Sequence, residues 1–145
     1  MKIPADWRAF IQSLNAHGVK YVIVGGYAVA FHGHPRFTGD IDFFVEGSPE
    51  NGQKLVAALQ EFGFGSLELT PDDFARTDVV VQLGLPPNRI DLLTTIDGVS
   101  FTQAWETRVK ARLDDVSAIF IGRDELIQNK RAVGRPKDIA DLDKL

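Results

Sequence analysis

The sequence predicts an α/β (α+β) fold: a mixed central sheet flanked by helices, with two further helices at the C-terminal end. Short β-branched and aromatic runs such as Tyr21-Val22-Ile23-Val24 alternate with amphipathic stretches of helical period. Two strand candidates, Val79 to Leu85 and Arg89 to Leu93, are joined only through Pro86-Pro87-Asn88, short enough for an antiparallel hairpin. The remaining strands are separated by helical segments, so the sheet is expected to be mixed. The length of 145 residues suits one compact domain spanning 1–145.

The elements follow in order. Trp7, Phe10, Ile11 and Leu14 recur at helical spacing and His17-Gly18 closes the pattern, giving a first helix over residues 5 to 17. The strand Tyr21 to Val24 runs into Gly25-Gly26, and Tyr27 to Phe31 reads as a short helix. After a loop with Gly33, Pro35 and Gly39 comes a strand from Asp40 to Val45, which carries acids in an otherwise apolar segment. Ser48-Pro49-Glu50 is a helix start, because a hydroxyl can cap free N–H groups and proline suits the first helical position. Leu55, Val56, Leu59 and Phe62 form that helix's apolar face and Gly63 ends it. Beyond the Val79–Leu93 hairpin, residues 101 to 108 read as helix and 109 to 121 as a strand pair turning at Asp114-Asp115. The last two helices are split at Gly134, and Pro136 opens the second.

Composition removes several classes of function. A hydrophobic fraction of 44% and a charged fraction of 25% are ordinary for a globular protein, and no apolar run approaches the roughly 20 residues of a membrane span. No membrane partner is expected. The N-terminus enters an amphipathic pattern directly, without the apolar centre of a signal peptide, so a cytoplasmic location is expected. The chain has no cysteine, which excludes disulfides and thiolate metal sites. The net charge of −4 argues against a broad grip on nucleic acid but leaves room for a local basic patch.

The chemistry is concentrated in two places. Asp40 and Asp42 are one residue apart, and the period of two along a strand puts both carboxylates on one face. Like charges that close repel, whereas a divalent cation shared between them is a good physical reason for the pair. Oxygen ligands suit Mg²⁺, with Mn²⁺ as the alternative ion, and magnesium commonly completes its shell with water and substrate phosphates. Upstream, Gly25-Gly26 stands between a strand and a helix, where bare backbone and a helix N-terminus can receive phosphate.

The whole segment V-G-G-Y-A-V-A-F-H-G-H-P-R-F-T-G-D-I-D-F-F-V resembles the signature of the nucleotidyltransferase superfamily: a Gly-Gly or Gly-Ser turn, a short helix, then an Asp-x-Asp strand. Thirteen residues separate Gly26 from Asp40, within the usual gap of that signature. Arg36-x-Thr38 is similar to the toxin-like and small-substrate branches. The resemblance implies a nucleotidyltransferase fold and a third carboxylate on a later strand, for which Asp91 in Arg89-Ile90-Asp91-Leu92-Leu93 is the candidate. Asp97 ranks below it because Asp97-Gly98 reads as a turn. The tail L-I-Q-N-K-R-A-V-G-R-P-K-D-I-A-D-L resembles AbiEii-like nucleotidyltransferases, which include toxins of toxin–antitoxin systems. That likeness implies that Lys130 reaches the triphosphate, that Arg135 or Lys137 assists, and that Asp138 fixes one of these cations or the acceptor.

The expected reaction is transfer of a nucleotidyl group from a nucleoside triphosphate to an acceptor hydroxyl, on an RNA 3′ end or a protein. Asp40, Asp42 and Asp91 would hold a two-metal site, and Gly25, Gly26, Arg36 and Thr38 would border the nucleotide. An antitoxin, or self-association of the short chain, is the further partner expected. Antibiotic adenylylation and a non-catalytic nucleotide-binding module are the alternatives. His32 and His34 read as loop histidines, Tyr27 as either core or substrate-facing, and Trp7 and Trp105 as core. Asp72-Asp73 and Asp114-Asp115 read as turn acids.

Overall fold

The computed structural model describes residues 3–33, 38–63, 68–85 and 88–145. Its strands are β1 (Tyr21–Val24), β2 (Asp40–Val45), β3 (Val80–Leu83), β4 (Arg89–Leu93), β5 (Val109–Leu113) and β6 (Val116–Phe120). Its helices are α1 (Ala5–Ala16), α2 (Gly25–His32), α3 (Pro49–Phe62), α4 (Phe101–Glu106), α5 (Arg123–Val133) and α6 (Pro136–Leu142). The strands form one mixed sheet in the order β3-β4-β2-β1-β6-β5. β1 pairs antiparallel with β2 and parallel with β6, while β2 pairs parallel with β4.

β1 is apolar and buried along its whole length, which places it at the centre of the sheet. On one face, Phe10 of α1 meets Phe43 of β2 and Phe62 of α3 edge to face, at ring separations of 5.4 and 5.3 Å. On the other, Phe44 packs edge to face on Phe101 of α4. Alternation along β2 directs Asp40 and Asp42 to this second face, away from the aromatic layer under α1.

Local chemistry accounts for the element ends. The Ser48 hydroxyl accepts from the Asn51 N–H at 3.1 Å, Pro49 opens α3, and Gly63 closes it in the left-handed region at φ 111°. Asn51 is buried and fully engaged. Its amide donates to the carbonyls of Lys20 and Glu46 and accepts from the Lys20 N–H, tying α3 to the entry of β1 and the exit of β2.

The structure corrects the sequence reading at several points. α2 starts at Gly25, two residues early, because Gly25 alone makes the corner at φ +68°. β3 is shorter than Val79–Leu85: Gly84 turns out of the strand at φ +77°. A 3-10 turn at Pro71–Phe74, unforeseen from the sequence, buries Phe74 beneath α3. Asp73 accepts from the Thr70 N–H in that turn, and Asp115 in the β5–β6 turn pairs with Arg8 of α1. Tyr27 packs inward against Trp7 at a ring separation of 5.1 Å. Trp105 is half-buried beneath the Arg108 guanidinium, 3.9 Å from its ring. Among the described residues no helix is long and apolar enough to cross a membrane.

Candidate active site

The site begins with strand register. In the parallel β2–β4 pair Asp42 stands opposite Asp91, and Asp40 opposite Arg89. Partners on neighbouring strands are separated by about 4.8 Å and point to the same face, so Asp42 and Asp91 face each other at close range. Asp91 is buried, 7% exposed. Burial, then the charge of Asp91, a proton shared with Asp91 and the charge of Asp40 together push the Asp42 carboxyl up to about 7. The charge of Lys130 opposes that rise without cancelling it.

Gly25 borders the same carboxylate. A Cβ at this position would lie 2.1 Å from Asp42 Oδ2, so only glycine lets the Asp42 side chain rest against the strand-to-helix corner. The start of α2 brings partial positive charge to that spot. Thr38 donates its hydroxyl to the Asp40 carbonyl at 3.2 Å, where the chain enters β2. Arg36 and His34 lie outside the described residues. His32 is held by the Ile121 carbonyl, which accepts from its Nε2 at 2.6 Å.

Arg89 is the site residue that sequence reading missed. Its Nε donates to Asp91 Oδ1 at 2.9 Å, and its Nη2 donates to Asp91 Oδ2 at 3.1 Å and to Asp40 Oδ2 at 2.9 Å. The available signal was its place two residues before Asp91, hence on the same face of β4. What the sequence could not supply was the β2–β4 register that brings Asp40 alongside.

The tail forms a second charged group. Lys130 is 5% exposed, with Nζ 3.0 Å from Asp138 Oδ1 and 3.3 Å from Asp141 Oδ2. Arg135 donates to Asp138 through Nε at 2.6 Å and Nη2 at 3.3 Å. Burial alone would raise the Asp138 carboxyl, but hydrogen bonds from Arg135 and Lys130 outweigh it and bring it down to about 2. Asp138 is therefore an internal anchor for two cations, and Asp141, one helical turn on, supports Lys130. Lys137 is exposed on α6.

Gly25 and Asp42 share with the tail a cleft of about 270 Å³, whose lining also includes Asp97, Lys130, Arg135 and Asp138. Asp97 does lie in a turn, between the bridged residues Ile96 and Val99, yet it borders this cleft. A larger hollow of about 450 Å³ lies between Asn15 and the β5–β6 hairpin. It contains no carboxylate and none of the clustered charges, so chemistry favours the smaller cleft.

Among the described residues, no group of three or more His, Cys, Asp or Glu side chains is arranged so as to hold a metal ion. Arg89 occupies the space between Asp40 and Asp91 instead. The donor chemistry nevertheless fits a hard divalent cation. The ligand atoms are oxygens, Asp42 and Asp91 are held together by the sheet, and burial beside the charge of Asp91 holds the Asp42 carboxyl up, a cost that a bound cation would offset.

The six-stranded mixed sheet flanked by helices is a nucleotidyltransferase fold. The chain belongs to the DUF6036 family, described as nucleotidyltransferase of unknown function, whose model matches residues 5–144. The crystal structure of a candidate nucleotidyltransferase from Thermotoga maritima is similar with a TM-score of 0.62 at 14% identity, covering 95% of this chain and 88% of that one. At that identity the likeness concerns the fold. No curated protein sequence matches the chain.

Proposed function

We propose that the protein is a Mg²⁺-dependent nucleotidyltransferase that moves a nucleotidyl group from a nucleoside triphosphate to an acceptor hydroxyl on RNA or protein. The observation that carries this reading is the in-register opposition of Asp42 and Asp91, with Asp40 on the same face. Asp40, Asp42 and Asp91 would hold the cation, with Mn²⁺ as a substitute. Once bound, the cation supplies positive charge to the triphosphate and to the acceptor oxygen.

The chain's own residues do the remaining work. The acceptor oxygen forms a bond to the α-phosphorus as the bond to pyrophosphate breaks, and the acceptor's proton passes to the Asp91 carboxylate. Backbone N–H groups at Gly25 and Gly26 receive phosphate oxygens. Arg135 is the cation best able to reach substrate, since its side chain is 56% exposed and it lines the cleft. Lys130, held by Asp138 and Asp141, contributes charge from the cleft wall. The likeness of the tail sequence is what supports the AbiEii-like toxin reading, for which a cytoplasmic location and an antitoxin or a second copy as partner are proposed with it.

The test is incubation of the purified protein with each α-labelled nucleoside triphosphate, Mg²⁺, and total RNA or cell lysate. Label entering RNA or protein, and lost in Asp42→Asn, is the expected result. Equal triphosphate affinity with Mg²⁺ and with chelator would overturn the metal-dependent reading. The grip of Arg89 on Asp40 and Asp91 favours a second reading, a non-catalytic nucleotide-binding module, for which triphosphate binds but no label is transferred.

A further inference from the structure

We infer that Arg89 is a tethered cation that latches the acid cluster in its resting state, and that a divalent cation binds by displacing it from Asp40 and Asp91. This inference rests on the metal-dependent reading above.

Three features of the geometry carry it. The guanidinium forms three hydrogen bonds to two carboxylates on different strands, all between 2.9 and 3.1 Å. Such a fork supplies to this pair of acids the positive charge and the directed donors that they lack. It does so by occupying carboxylate oxygens that cation ligation requires, so the two cations exclude each other at Asp40 and Asp91.

The latch sits at the rim rather than the floor of the site. The Arg89 side chain is 27% exposed and that of Asp40 is 40% exposed, against 10% for Asp91. A flexible stem anchored on β4 can therefore withdraw toward solvent without disturbing the core. Asp42, the acid Arg89 does not bond, lines the cleft and is the carboxylate an incoming ion meets first. Once the ion is seated, repulsion between it and the guanidinium holds Arg89 outward, at the mouth of the site. The latch is also built into the register: Arg89 is opposite Asp40 across the strands and two residues from Asp91 along β4.

A purely structural Arg89, one that only orients the acids for the metal, predicts the opposite sign of effect. The experiment is an Mn²⁺ titration of the intact chain without nucleotide, followed by electron paramagnetic resonance, on wild type, Arg89→Met, Arg89→Lys and Asp42→Asn. Arg89→Met keeps the stem and removes the competing charge, and the expected result is Mn²⁺ affinity raised about fivefold or more. Arg89→Lys should fall between it and wild type. In chelator Arg89→Met should melt below wild type, and saturating Mn²⁺ should narrow that gap. Unchanged or weakened Mn²⁺ affinity in a folded Arg89→Met would overturn the latch, as would a melting gap that Mn²⁺ leaves intact. The Arg89 Nε–H resonance of wild type gives a reading independent of any variant: it should be protected from exchange in chelator and exposed on adding Mg²⁺. Persistent protection in saturating Mg²⁺ would also overturn the latch. If wild type binds Mn²⁺ and Asp42→Asn does not, the metal-dependent reading survives even when the latch fails. If no form binds Mn²⁺, both fall.

Discussion

Asp42 and Asp91 face each other across the parallel β2–β4 pair, and burial, with the charge of Asp91 and a hydrogen bond to it, raises the Asp42 carboxyl to about 7. A carboxyl whose folded pKa exceeds its unfolded value binds its proton more tightly when folded. Its contribution to stability is full below about pH 4 and is lost as pH rises toward 7. In chelator, Asp42→Asn should remove this part of the pH dependence and exceed wild type in stability at pH 8 by roughly 1–3 kcal/mol. Urea denaturation at pH 5 and pH 8 measures it, and equal pH slopes for variant and wild type would contradict the pairing.

The same proton must leave before an ion can use Asp42 fully. Mg²⁺ affinity should therefore climb between pH 6 and pH 8 with release of a proton, a signature that calorimetry in two buffers of different ionisation enthalpy detects. A flat affinity over that range would count against Asp42 as a ligand.

Nucleotidyl transfer separates the acids by role. Asp42→Asn and Asp91→Asn should each lower the labelling rate on the order of a hundredfold or more, because each removes charge from the site without changing shape. Asp97→Asn, in the lining of the cleft, should act mainly on triphosphate affinity. Initial rates against triphosphate concentration distinguish the two patterns.

The glycine corner can be tested against an internal control. Gly18 and Gly25 have nearly the same φ, +66° and +68°, yet a Cβ at Gly18 meets nothing within 4 Å while one at Gly25 meets Asp42 Oδ2 at 2.1 Å. Gly18→Ala should cost about 1–2 kcal/mol of backbone strain. Gly25→Ala should cost more and also abolish Mg²⁺-dependent binding, since Asp42 has to move. Thermal melts with and without Mg²⁺ on both variants resolve the difference.

In the tail, Asp138→Ala leaves buried Lys130 with Asp141 as its remaining partner, and the chain should lose roughly 2–3 kcal/mol. The Asp138 carboxyl, held at about 2, contributes stability that is full above about pH 4 and is lost as pH falls toward 2. Arg135→Gln removes a charged donor from buried Asp138, so it should lower the melting temperature less than Asp138→Ala does and weaken triphosphate binding several-fold.

Much of the architecture is written locally. The apolar run at Tyr21–Val24, the Ser48-Pro49 cap, the Gly63 and Gly134 stops and the hairpin into Arg89–Leu93 follow from near-neighbour chemistry: β-branched packing, capping and φ preference. Those rules act over a few residues, so the sequence by itself determined the order of elements and the shared face of Asp40 and Asp42. They also misplaced the start of α2 and overlooked the Pro71–Phe74 turn, where a long-range fit against α3 prevails.

Only the tertiary structure decided which distant groups meet. Nothing near Asp91 in the chain says that it stands opposite Asp42, that Arg89 reaches across to Asp40, or that Lys130 is enclosed by Asp138 and Asp141. Strand register is set by burial of whole faces of the sheet, in which a shift by one residue would turn every acid into the aromatic layer. That is a property of the assembled sheet and helices together, and it is what turns separate charged residues into one site.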